Sequence, residues 1–100
     1  MYKFLKSDEF NAWLLALQDP IGKARIAYRI RAAEAGHFGD CKPVGEGVHE
    51  MRVHVGPGYR LYYTRRTEVV YWLLLGGDKS SQQRDIDKAI RMANTLKEKT

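Results

Sequence analysis

Apolar and polar positions alternate along this chain with two different periods, and the changes of period divide it into elements. "MYKFLK" sets Tyr2 and Phe4 against Lys3 and Leu5, the two-residue rhythm of a short first strand. Phe10, Trp13, Leu14 and Leu17 then fall at i, i+3, i+4 and i+7, the apolar stripe of a helix. Ser7 is placed to cap it, with Asp8 and Glu9 in the first turn where negative charge suits the helix dipole. Asp19-Pro20 closes that helix and opens another, Asp19 as N-cap and Pro20 at the first helical position. The second helix is expected from Pro20 to Ala35, stopping at Gly36. Ile26, Ala27, Ile30 and Ala33 form its apolar side, and Lys23, Arg25, Arg29 and Arg31 make the rest strongly basic.

The next thirteen residues, "AGHFGDCKPVGEG", hold four glycines and a proline and predict a loop. Two strands follow in "HEMRVHVGPGYRLYY", split by a three-residue turn at Gly56-Pro57-Gly58. That turn pairs Val55 with Tyr59, Val53 with Leu61 and Met51 with Tyr63 on a core-facing side. It pairs His54 with Arg60 and Arg52 with Tyr62 on the other side, which also holds Glu50. A slip by one residue would bury Arg52 and Arg60, so the pattern pins which face is which. "VVYWLLL" is apolar at nearly every position, as a strand covered on both faces is, and Gly76-Gly77 is expected to end it. Ser80 predicts the cap of a last helix, with Gln83 completing a capping box. Ile86, Ala89, Ile90, Ala93 and Leu96 form its inner stripe, and the tail "KEKT" is expected to fray. The order is β-α-α-β-β-β-α. It describes one α+β domain over residues 1–100: a mostly antiparallel four-stranded sheet packed with two N-terminal helices and a C-terminal helix.

Composition narrows this picture. A chain with 44% hydrophobic residues can build a core. No apolar run approaches a membrane span, and the N-terminus has no secretory h-region, so no membrane association and a cytoplasmic location are expected. The single cysteine, Cys41, allows no internal disulfide and reads as a small loop or core residue. No Cys/His cluster has zinc-like spacing, and no metal or cofactor is expected. The net charge of +5 favours an anionic partner, either nucleic acid or an acidic protein.

The polar face of the central hairpin gathers Glu50, Arg52, His54, Arg60 and Tyr62, and Lys79 lies just past the following strand. Arginines bind phosphate oxygens bidentately and stabilise charge that builds on them. Tyr62 can stack on a base or bond to phosphate. Arg25 and Arg29, on the basic side of the second helix, make either a phosphate-facing rail or a docking surface for a protein. A solvated sheet face also carries charges of this kind, with Glu50 simply pairing with Arg52 or Arg60. "GGDK" lacks the spacing of a phosphate-cradling P-loop.

"KPVGEGVHEMRVHVGPGYRLYY" followed by "LLLGGDKSSQQRDIDKA" resembles the addiction-module killer proteins, the HigB-like toxins of the RelE/ParE superfamily of bacterial type II toxin–antitoxin systems. The likeness extends over nearly the whole chain. It implies a RelE-like fold and ribosome-dependent mRNA cleavage without a metal, in which a ribose 2′-OH attacks the adjacent phosphate. It implies partners as well: the ribosome, mRNA, and a cognate helix-turn-helix antitoxin of the HigA kind, with operator DNA contacted only through that antitoxin. Arg60 in "GYRLYY" matches the arginine of the family's strand, Arg52 a basic residue of the preceding strand, and Lys79 a basic residue after the last central strand. Glu50 stands where the best-known ribosome-dependent members have lysine. Those members also use a tyrosine near the C-terminus as base, and no Tyr or His follows Trp72 here. Glu50 and His54 are therefore the candidate proton acceptors. The alternatives within the resemblance are a ParE-like gyrase poison and an inactive toxin that only binds its antitoxin as a co-repressor.

Overall fold

The computed structural model describes residues 1–98. Its elements are β1 (Lys3–Lys6), α1 (Asp8–Ala16), α2 (Pro20–Glu34), β2 (Cys41–Gly45), β3 (Val48–Val53), β4 (Tyr59–Arg65), β5 (Val70–Asp78), a 3₁₀ turn (Lys79–Ser81) and α3 (Gln82–Glu98). Lys97 and Glu98 of the tail expected to fray are helical, and Lys99 and Thr100 lie outside the described residues.

The α+β class holds, but the sheet has five strands in the order β1-β5-β4-β3-β2, and it is mixed, because β1 runs parallel to β5. The added strand, β2, lies in the segment expected to be loop. Its glycines and proline are compatible with an edge strand. Pro43 occupies the sheet margin, where a missing N–H is tolerated. Glu46-Gly47 then turns the chain into β3 with both residues at positive φ, the backbone of a two-residue hairpin turn.

The helix starts follow the local chemistry. The Ser7 hydroxyl accepts the Phe10 N–H at 2.9 Å and donates to the Leu74 carbonyl at 2.6 Å, so one side chain caps α1 and ties it to β5. Asp19 accepts the Gly22 N–H at 3.0 Å to cap α2 and the Tyr59 hydroxyl at 2.6 Å to tie it to β4. The expected cap of α3 is displaced. Asp78, not Ser80, accepts a backbone N–H at 2.8 Å, a 3₁₀ turn intervenes, and Gln83 bonds to Asp87 instead of closing a capping box.

The sheet is covered on both faces. Phe10, Ile26, Ile30, Met51, Leu61 and Leu73 fill the core under α1 and α2. Val48, Tyr62, Leu74, Leu75, Ala89 and Ala93 fill a second core under α3. β5 is central and buried on both sides, as its unbroken apolar run requires. Gly76-Gly77 does not end the strand, which continues to Asp78. The two glycines instead let helices close in from opposite faces. A Cβ on Gly76 would stand 2.2 Å from the Trp13 ring, and one on Gly77 would stand 2.0 Å from the Asp85 carboxylate. No helix of residues 1–98 is long and apolar enough to cross a membrane.

Gly76→Ala is expected to destabilise the fold by roughly 1–3 kcal/mol, because a rigid ring must move off a central strand. Urea unfolding checks this. A midpoint unchanged from the wild type would show that α1 is free to shift.

Candidate functional site

The hairpin that carries the candidate residues is registered two positions away from the expected pairing. Val53 pairs with Tyr59, Arg52 with Arg60, Met51 with Leu61 and Glu50 with Tyr62. Val55 belongs to the connection, where its carbonyl accepts the Gly58 N–H at 3.1 Å around Gly56 at positive φ. An even shift leaves every side chain on its expected face. It changes the neighbours, however, and sets two arginines directly opposite each other.

Like charges directly opposite on paired strands repel. Glu50, two residues before Arg52 on the same face, supplies the opposite charge. Its Oε1 accepts Arg52 Nε at 3.1 Å, and its Oε2 lies 3.6 Å from Arg60 Nε. Oε2 also accepts the Tyr62 hydroxyl at 3.1 Å and the Gln82 amide of α3 at 2.9 Å. The Glu50 side chain is 0% exposed, against 13% for Arg60 and 30% for Arg52. Burial alone raises its carboxyl, but the bonds from Gln82, Arg52 and Tyr62 and the charge of Arg60 outweigh it, so the group sits below its ordinary range. Burial, then the adjacent carboxylate, raises the Tyr62 phenol, which stays a neutral donor.

Two expectations change here. Tyr62 is fully buried beneath α3 and has no face to offer a base. Glu50 has both oxygens occupied and a carboxyl shifted away from neutrality, so it is a poor proton acceptor. It anchors the arginines instead. Sequence periodicity assigned the face correctly but carried no sign that α3 would cover half of it.

Where that cover ends, a cleft of about 340 Å³ opens, lined by Arg52, His54, Tyr59, Arg60, Lys79 and the Gly56-Pro57-Gly58 turn. Arg60 is oriented by a bond from Nη1 to the Gly58 carbonyl at 2.9 Å, while its buried Nε makes no hydrogen bond among the described residues. His54 stands at the mouth with its side chain 71% exposed, and its Nε2 lies 2.6 Å from Asp40 Oδ2. That hydrogen bond is the main reason the Asp40 carboxyl lies below its usual value. The cleft thus collects Arg52, Arg60, Lys79 and His54 as expected, with Glu50 beneath them.

Arg29 is not available as part of a phosphate rail. Its guanidinium donates to the Arg52 carbonyl and, at 3.0 Å, to the Phe38 carbonyl, clasping the segment before β2 to β3. Arg25 is exposed on α2 in a separate depression with Ile21 and Tyr28. Cys41 lies in β2, not in a loop. Burial pushes its thiol up, away from the thiolate form that a nucleophile needs. Asp40 and Gln82 were not anticipated. Asp40 sits in a glycine-rich stretch whose pairing with β3 has no periodic signal. Gln82 points inward from a helix start predicted one residue too early.

No known protein-family profile matches the chain. An uncharacterized protein of Haemophilus influenzae is 42% identical over 87 residues, covering 87% of this chain and 88% of that protein. The chain belongs to one family with that Haemophilus protein.

Glu50→Gln keeps the shape of the anchor and removes its charge. It is expected to destabilise the fold by roughly 3 kcal/mol at pH 7, the low end for a broken buried pair because both guanidinium groups retain some solvent. The folded carboxyl lies below its ordinary value of 4.5, so its contribution is present above that value and fades as pH falls through the lower folded one. Unfolding measured from pH 3 to 7 should show the mutant losing less stability on acidification than the wild type. Parallel curves would remove Glu50 from the acid dependence.

Proposed function

We propose that this chain is the toxin of a type II toxin–antitoxin pair and an endoribonuclease that cuts mRNA on the ribosome, with a RelE-like fold. One observation carries the proposal: three cationic side chains, Arg52, Arg60 and Lys79, converge on one cleft, and a buried carboxylate fixes the two arginines in place. A surface that only needed solubility would not require a buried counter-ion with three hydrogen-bond donors. A site for a phosphodiester would. The transferring phosphate gains negative charge as the 2′-oxygen attacks, and donors already oriented stabilise that charge without reorganising. Arg60, the less exposed arginine, is the member best suited to hold the phosphoryl oxygens, because Glu50 and the Gly58 carbonyl orient its guanidinium in the wall of the cleft. Arg52 and the exposed Lys79 extend positive charge along the cleft for the flanking backbone.

On this proposal the protein acts in the cytoplasm on the ribosome and its mRNA. A cognate helix-turn-helix antitoxin encoded beside it neutralises the toxin, and contact with operator DNA runs only through that antitoxin. The net charge of +5 suits both an RNA strand and an acidic antitoxin segment.

Induction of the wild type should stop protein labelling before DNA labelling and leave new 5′ ends on mRNA by primer extension. Arg60→Ala should reduce cleavage by roughly 10²–10³-fold, as loss of one oriented donor to a charged transition state does. Loss of DNA synthesis first, with double-strand breaks, would point to a gyrase poison. Arrest undiminished in Arg60→Ala would overturn the site.

A further inference from the structure

Attack by a ribose hydroxyl requires a group that takes up its proton. The side chains of the cleft leave few that can. Glu50 is buried with both oxygens occupied. The Tyr59 hydroxyl donates to Asp19 at 2.6 Å and is pushed up to about 12, first by that hydrogen bond. Tyr62 lies under α3. Arginine does not deprotonate in proteins. What remains is an imidazole at the cleft mouth with a carboxylate on one of its nitrogens.

We infer that His54 is the catalytic group that accepts the 2′-hydroxyl proton, and that Asp40 is the positioning residue that fixes its ring. The inference rests on the nuclease proposal above. A carboxylate 2.6 Å from Nε2 favours the tautomer with its proton on that nitrogen, which leaves the lone pair on Nδ1. Asp40 is itself held. Its carbonyl accepts the Arg52 N–H at 2.9 Å, and Arg29 bonds the carbonyls of Phe38 and Arg52 on either side. The backbone carrying the carboxylate is thereby tied to the strand that carries Arg52. An exposed hydrogen bond of this kind contributes little to folding, so stability does not explain why the pair stands at this cleft. The charged groups around the imidazole are Asp40 before β2, Arg52 on β3, Arg60 on β4 and Lys79 on the 3₁₀ turn.

In the step so assigned, the 2′-hydroxyl gives its proton to His54 Nδ1. The 2′-oxygen–phosphorus bond forms and the bond from phosphorus to the 5′-oxygen breaks. The departing oxygen takes a proton from the Lys79 ammonium. The products are a 2′,3′-cyclic phosphate and a 5′-hydroxyl. The imidazolium releases its proton to water and Lys79 regains one, so no proton is gained or lost overall.

The test is single-turnover cleavage of mRNA on programmed ribosomes from pH 5 to 9, with nitrogen-15 NMR of the His54 ring in the free protein. His54→Ala should cleave roughly 10²–10³-fold more slowly and lose the acid limb of the profile. Asp40→Asn should cleave about tenfold more slowly, displace that limb, and replace the Nε2–H form with a tautomer mixture, while Asp40→Glu restores part of the rate. Melting temperatures near the wild type's are expected for all three, since the pair is exposed. Cleavage by His54→Ala at the wild-type rate and profile, beside an inactive Arg60→Ala, would overturn the assignment and leave the nuclease standing. An unchanged profile and tautomer in Asp40→Asn would overturn the positioning role. A wild type that cuts no RNA would overturn both proposals together.

Discussion

A single buried carboxylate organises the polar half of this molecule. Pairing β3 with β4 brings Arg52 opposite Arg60, and without a counter-charge that register would be self-repelling. Glu50 removes the conflict from within the same strand. It can do so only because α3 seals it from water and contributes Gln82 to its remaining lone pairs. The hydrogen bonds offset its desolvation, so the group stays ionised where an unpartnered carboxyl would take up a proton. Register, helix placement and cleft charge therefore depend on one another. Moving α3 would wet Glu50, freeing Glu50 would unpair the arginines, and free arginines would have no fixed positions to offer an anion.

The placement of α3 is set in turn by Gly77, as that of α1 on the other face is by Gly76. β5 is buried from both sides, and at Gly76 and Gly77 the elements on those sides come closer than any side chain permits. Trp13 presses on one face and Asp85 on the other. The chain then makes a 3₁₀ turn under the Asp78 cap before α3 begins, which leaves Lys79 beside the cleft and Gln82 over Glu50. Dense packing at the end of the central strand thus fixes where two of the site's polar groups stand.

Much of this was legible in the sequence, and the reasons are local. Ser7 and Asp19 cap their helices as read, because capping depends on a few adjacent residues. The core face of the hairpin followed from its period of two, which survives a register error of two residues. What was not legible depends on distant partners. β2 is a strand because β3 offers it hydrogen bonds, not because "CKPVG" resembles one. Tyr62 and Glu50 were placed on the correct face, yet whether that face meets water depends on a helix that begins at Gln82. Asp40 has no neighbour in sequence that marks it. It becomes visible only once β2 and the β3–β4 turn lie side by side.

The site is graded in burial, from 0% at Glu50 through 13% at Arg60 and 30% at Arg52 to 71% at His54. Each level suits a different task. A charge that only positions others works best dry, where its pull is least screened. A charge that must meet an anion needs one side oriented by protein and the other open, which is the condition of both arginines. A group that must exchange protons with solvent in every turnover belongs at the mouth. There its ring is not fixed by packing, so its orientation has to come from a hydrogen bond. On this account the Asp40–His54 pair and the Glu50 cluster solve the same problem at two depths. The deeper one fixes charge by burial, and the shallower one fixes a ring where burial would cut off its exchange with water.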